Sequence, residues 1–309
     1  MRVLGLGVLL TFCLFVSGPL VIFTPVPLFV ASTVLGRKGL ILVAFLSGLV
    51  VAGCYLVFPS WLFLPGADLL HAFPRTAVQI FGMTTFVCHV LIATLFLVCL
   101  RRQWTPGVCL GTTLAAVMGV IVTVIATVAV TGHIALRDGF RAYLGFVLDA
   151  MPTLPPFDFL LTHRDEVITM AIHLLPAVIF LSVLLTIVAS GIMSRRIVKY
   201  HSGQFRLPDV WVWLPIISGM TFFVDLYVVH STLLKTIALN GIIIGGALAF
   251  VQGLAVVLFF LERVRTVWFR LTMIVVMVMF FHTTTILLAG IGLADVWIRF
   301  RRQKEVACK

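Results

Sequence analysis

Among the side chains able to do chemistry inside long apolar runs are His89, Asp225, Asn240, Gln252 and His282. Hydrocarbon offers no hydrogen-bond partner to an imidazole, a carboxylate or an amide, so each must be accounted for. Gln252 stands in "AFVQGLAVVLFFLERVR", Ala249 to Arg265. Its primary amide has two donors and an acceptor. It is expected either to form an interhelical hydrogen bond, worth about 0.6–2 kcal/mol, or to touch a ligand, and Asn240 carries the same two readings. Asp225, in "GMTFFVDLYVVH", lies a few residues inside the end of its run. A carboxylate at the bilayer centre costs about 2.5 kcal/mol or more. It is therefore expected to reach water, to pair with His230 or Lys235, or to couple solute or proton movement. His89 and His282 fall near the middle of their runs. Two imidazoles at similar depth could ligate a haem; the simpler reading bonds each ring to a nearby backbone or side-chain group, such as Thr283, Thr284 and Thr285 around His282.

The run that holds Gln252 also repeats small residues. Gly241, Gly245, Ala249 and Gly253 recur every four positions and form one nearly straight stripe on a helix. Such stripes let a second backbone approach closely. Gln252 borders the stripe, so its amide is expected to face protein rather than lipid.

The elements that must position these groups are membrane helices. Hydrophobic residues make up 61% of the 309 and charged ones only 11%, where a soluble domain has about 25% charged. A helix needs about 20 apolar residues to cross the hydrocarbon core. Eight segments qualify: Val3–Phe23, Gly39–Phe58, Thr76–Leu100, Gly107–Thr131, Val167–Ile192, Trp211–Val229, Thr236–Phe260 and Leu271–Leu293. The expected fold class is all-α, a polytopic transmembrane helix bundle of about eight spans forming a single integral membrane domain over 1–309. Pro19, Pro25 and Pro27 break the N-terminal segment, as an interfacial turn or as a discontinuous helix lining a pocket. Pro59–Arg75 reads as a non-cytoplasmic loop. The connector 132–166 is non-cytoplasmic or interfacial. It holds "ALRDGFRAYLGFVLDAM", with Leu136, Phe140, Tyr143, Leu144 and Val147 at helical spacing, an interfacial amphipathic helix. "PTLPPFDF" ends it.

The net charge of +11 is punctuation between apolar runs: Arg37-Lys38, Arg101-Arg102, Arg195–Lys199, Arg263–Arg265 and Arg299–Lys304, the last inside a basic tail, 294–309. Short basic clusters at span ends mark cytoplasmic loops and lack the interleaved aromatics of a nucleic-acid surface. Seven segments between Arg37-Lys38 and the tail put those two clusters on opposite sides, unless one segment, Trp211–Val229 being the shortest, fails to cross. The six cysteines form no C-x-x-C and read as small buried hydrophobes. The N-terminal run continues past the small residues at Val16–Gly18, so a retained first span is expected over a cleaved leader. No phosphate loop, zinc-protease, nucleophile-elbow or dinucleotide motif occurs, and no residue set argues for an enzyme or a resident cofactor.

Two closing stretches, "FVQGLAVVLFFLER" and "GLADVWIRFRR", and the early "PVPLFVASTVLGRKGLILVAFLSGL" resemble the YybS-like family of bacterial membrane proteins. That family is distantly similar to the substrate-binding S components of energy-coupling-factor transporters and to the rod-shape protein MreD. The resemblance implies a helical bundle in a bacterial inner membrane. S components dock through small residues spaced by four on the first helix, whereas here that helix offers only Gly7 and Thr11. Two functions follow as expectations: an S-component-like binding or transport subunit for a small or lipid-like solute, with Gln252, Asn240 and Asp225 as contacts, or a scaffold that docks a membrane-protein partner. A haem or quinone protein is the third.

Overall fold

In a computed structural model, the described residues are 2–17, 20–57, 75–102, 104–131, 136–149, 161–198, 206–298 and 300. Among them every regular element is helical. Pro19, the Pro59–Arg75 loop except Arg75 itself, "PTLPPFDF" and the tail beyond Phe300 lie outside the described residues. The chain divides into two compact units. The first takes Met1–Val98 with Thr112–Ile197, and the second Cys99–Gly111 with Val198–Lys309.

In the first unit α1 (Arg2–Val16) stops well short of Phe23. A 3-10 turn, Val21–Phe23, follows, and α2 (Pro25–Val34) then starts with prolines in its first turn, where the missing N–H costs nothing. The N-terminal segment is therefore broken, and the expected span Val3–Phe23 is a 15-residue helix plus a separate turn. Gly36 makes the corner into α3 (Gly36–Val57) with φ +72°, a conformation that favours a residue without Cβ. Leu28, Phe29, Ala31, Leu40 and Val43 close the core of this corner together with Ala93. The rest of the unit is α4 (Arg75–Arg101), α5 (Pro106–Thr131), whose first turn belongs to the second unit, α6 (Leu136–Asp149) and α7 (Arg164–Val198).

On α6, Arg137, Asp138 and Arg141 are exposed, whereas Phe140, Tyr143, Leu144 and Val147 are half-buried and Leu148 buried. The amphipathic pattern thus becomes a helix folded against its own unit. Arg164 bonds Asp149 at 2.8 Å and ties the end of α6 to the start of α7.

The second unit contains the 3-10 turn Asp209–Val212, α8 (Trp213–Val224), which continues as a π turn through Val229, and α9 (Thr232–Arg263). α10 (Val267–Met279) and α11 (Phe281–Ile298) complete it. The expected span Leu271–Leu293 is thus two helices, parted at Phe280, whose φ −102° and ψ 42° leave the helical region. No proline or glycine marks that break.

Among the described residues, six helical stretches are long and apolar enough to cross a membrane: Gln79–Cys99, Pro106–Val130, Arg164–Ile192, Asp209–Val229, Thr232–Arg263 and Phe281–Ile298. Four shorter apolar helices accompany them, among them Val3–Val16 and Val267–Met279. The described residues thus bear out an all-helical chain with several spans. The two breaks, after Val16 and at Phe280, divide apolar runs that composition alone reads as continuous. Large apolar side chains such as Phe45, Val130, Trp268 and Met279 are exposed, as expected where lipid is the solvent.

Candidate functional site

The stripe on α9 is covered by the protein's own helices. A Cβ added at Gly241 would lie 2.0 Å from Ser218 Oγ, and one at Gly245 would lie 2.6 Å from Pro215 Cδ, both on α8. Further along, a Cβ at Gly253 would meet the Leu288 carbonyl oxygen at 1.8 Å. One at Gly292 would meet the Ala249 carbonyl at 1.9 Å and the Gly253 nitrogen at 2.7 Å. The first half of the stripe thus seats Ser218 and Pro215 of α8, and the second half seats α11 backbone against backbone.

Gln252 uses that closeness. Its Oε1 accepts from the Leu207 backbone N–H at 2.9 Å, and its Nε2 donates to Asp295 Oδ2 at 3.0 Å. Asp295 Oδ1 accepts from the Phe300 N–H at 3.1 Å. Both side chains are almost fully enclosed, at 2% and 3% exposure. The amide therefore joins the segment before α8, α9 and α11. The cavity beside it holds only about 20 Å³, room for about one water. Asp295 escaped attention in the sequence, although Gly292-x-x-Asp295 mirrors Ala249-x-x-Gln252.

The other polar candidates of the second unit are also engaged by the chain itself. Asp225 Oδ1 accepts from the Ser231 N–H at 2.7 Å, just ahead of α9, where a carboxylate also suits the positive end of the helix dipole. His230 adopts the left-handed conformation that folds the chain back, and its N–H donates to the Asp225 carbonyl at 3.0 Å. Asp225 thus binds backbone rather than the expected His230 or Lys235 side chains. Asn240 donates to the Thr236 carbonyl at 2.8 Å. His282 is exposed on α11.

The first unit solves its polar problem differently. It holds a cavity of about 590 Å³, within the range of small-molecule sites. α4 lines it with Phe81, Thr84, Thr85, Cys88, His89 and Ile92, and α5 with Val117, Ile121 and Ile125. α7 adds residues from Ile172 to Thr186, α6 adds Arg137 and Phe140, and the broken segment adds Val21 and Ile22. Ser190 holds that segment in place by donating to the Ile22 carbonyl at 3.0 Å. On α7, Pro176 withholds the donor that the Ile172 carbonyl would otherwise meet.

His89 is the polar centre of this wall. It is 6% exposed, and Phe15 meets its ring edge-on at 6.1 Å. Its Nδ1 lies 2.6 Å from the Thr85 carbonyl. A carbonyl only accepts, so Nδ1 carries the proton. In the neutral ring Nε2 is then a bare lone pair, and it is buried without a hydrogen-bond partner among the described residues. The Val21 backbone is the ring's other hydrogen-bond contact; its carbonyl can only accept, so it meets Nε2 when that nitrogen carries a proton and leaves the lone pair of the neutral ring unmet. The hydroxyls of Thr84, Thr85, Ser182 and Thr186 all donate to carbonyls of their own helices at 2.7–2.8 Å. What they show the cavity is oxygen lone pairs. Its deep wall is apolar with acceptors set into it, and its one permanent cation is Arg137.

The described residues contain no group of three or more His, Cys, Asp or Glu side chains able to hold a metal ion. His89 belongs to the first unit and His282 to the second. No cysteine among the described residues forms a disulfide: Cys88, Cys99 and Cys109 are buried, Cys54 is half-buried and Cys13 is exposed, against the expectation that all would be buried.

No curated protein and no solved structure shows significant similarity to this chain. A family model does match, over residues 75–296, from the start of α4 almost to the end of α11. The chain is a membrane protein belonging to the family described as predicted membrane protein DUF2232.

Proposed function

We propose that this protein is a non-enzymatic binding subunit of a bacterial inner membrane, holding a lipid-like molecule in the cavity of its first unit. The observation that carries the reading is that cavity: about 590 Å³ of apolar space with a buried, unmet imidazole nitrogen in its wall. Protein interiors are otherwise close-packed, and an unsatisfied buried acceptor costs about 1–3 kcal/mol. A bound molecule would relieve both the void and the orphaned group. The resemblance of the closing motifs to the YybS-like family, and through it to S components, supports a binding role of this kind. The resemblance to MreD supports the rival scaffold role, which needs a free docking surface. The stripe of Gly241, Gly245, Ala249 and Gly253 leaves little for a partner, since α8 and α11 already cover it.

The polar contacts move with this reading. Gln252, Asn240 and Asp225 were the sequence candidates; all three bond to their own unit, and we assign them to holding it together. His89 takes their place as the ligand-facing group. Gentle detergent purification followed by mass spectrometry of the extracted protein tests the proposal. The native chain is expected to carry a stoichiometric small molecule, and Ile121→Trp, which fills the cavity, is expected to carry none. An empty native protein, or equal loading of the two, speaks against it.

A further inference from the structure

We infer that the occupant of this cavity is a single-chain amphiphile with an acidic head group held at Arg137 and a hydrogen-bond donor, such as a hydroxyl, along its chain at His89 Nε2. The inference rests on the binding role proposed above and narrows it to a ligand class.

Shape comes from the register of the lining. Phe81 to Ile92 on α4 spans roughly 16 Å, and Ile172 to Thr186 on α7 roughly 21 Å, at the helical rise per residue. About 590 Å³ along that length is an elongated space, in which a single hydrocarbon chain can extend along the helices. The space is a slot running along the helices.

Polarity comes from its two levels. α6 follows the end of α5 and is tied to the start of α7 by the Arg164–Asp149 pair, so Arg137 and Phe140 stand at the end of the slot shared by Ile125, Ile172 and Phe81. Arg137 is exposed there and makes no ion pair among the described residues; no acidic side chain lines the slot. A guanidinium at an apolar mouth selects a carboxylate or a phosphate. His89 lies eight residues along α4 from Phe81, roughly 12 Å deeper. Nε2 there, the lone pairs of Thr85 nearer the mouth and those of Ser182 and Thr186 farther in are all acceptors. A plain hydrocarbon leaves them unmet, whereas a chain bearing a hydroxyl supplies the missing donor.

The test measures binding of four probes to the purified full chain in detergent: stearate, a mid-chain hydroxystearate, stearyl alcohol and hexadecyl phosphate. Both acids with unmodified chains are expected to bind about tenfold tighter than the alcohol, the scale of one charge-assisted hydrogen bond. Arg137→Gln, on an exposed position, is expected to erase that difference. The hydroxystearate is expected to bind about fivefold tighter than stearate, the scale of one neutral hydrogen bond. His89→Leu is expected to make them equal; if that variant misfolds, the native preference still decides. Tighter phosphate than carboxylate, or the reverse, identifies the head group, and either supports an acid. Equal affinity of alcohol and acids, or of stearate and hydroxystearate, overturns the inference. Loss of all binding in Ile121→Trp alongside such equality removes only the ligand class. Binding untouched by Ile121→Trp removes the binding site itself.

Discussion

The two units face the same solvent and dispose of their polar groups in opposite ways. In the second, Gln252, Asp295, Asp225 and Asn240 each meet a partner from their own unit. Glycines there bring α9 and α11 into backbone contact, and a small cavity beside Gln252 is the size of a water. Among its described residues only Arg270 Nε is buried and unmet. In the first, Thr24, Ser47, Thr113 and His89 each leave a buried polar atom without a partner, and His89 does so on the wall of a large cavity. A polar residue in an apolar run is thus ambiguous by itself. Whether it braces the fold or awaits a ligand depends on whether a neighbouring helix can come close enough to satisfy it.

That contrast can be broken most forcefully at the α9–α11 seam. Gly253→Val places a side chain where the Leu288 carbonyl stands, and backbone cannot rotate away as a side-chain tip can. It is expected to cost about 3 kcal/mol or more, seen as loss of a monodisperse peak and a lower unfolding midpoint in detergent. Next in size, Asp295→Ala strands the Gln252 Nε2 and the Phe300 N–H and is expected to cost about 1–3 kcal/mol. Gln252→Leu should cost a similar amount. The double variant Asp295→Ala/Gln252→Leu should cost clearly less than the sum, because the two share one bond; full additivity would mean the pair is not coupled. In the first unit Ile121→Trp is expected to leave stability within about 1.5 kcal/mol of native or to raise it, since it enters empty space; a large loss would show that the space is not there. The smallest effect belongs to Gly246→Ala. Nothing lies within 4 Å of its added Cβ, so only helix propensity acts, a gain of up to about 1 kcal/mol, measured beside Gly253→Val as its control.

Some of this was legible in the sequence. Four-residue spacing marked the α9 stripe, and its bordering amide, Gln252, bonds Leu207 and Asp295. The prolines at 25 and 27 located the break in the N-terminal segment, and heptad-like spacing located α6. What covers the stripe was not legible, because Pro215, Ser218 and Gly292 belong to other helices and contact between helices has no local signature. Asp295 stood at the same offset from a small residue as Gln252 and would have been found by comparing the two offsets. The break at Phe280 carries no glycine or proline, so two helices read as one run. The cavity was the least legible feature. It consists of side chains that stop short of one another, drawn from four helices and a turn, and no spacing within any one of them records that.

The central claim is that the first unit's slot, and not the polar network of the second, is where a molecule binds. Photo-crosslinking with a diazirine-bearing fatty acid, followed by peptide mapping, tests it most directly. Label should concentrate on Phe81–Ile92, Val117–Ile125 and Ile172–Thr186, and Ile121→Trp should remove it. Label spread evenly over lipid-facing positions such as Phe223 and Trp268, or gathered around Gln252 and Asp295, would contradict the account.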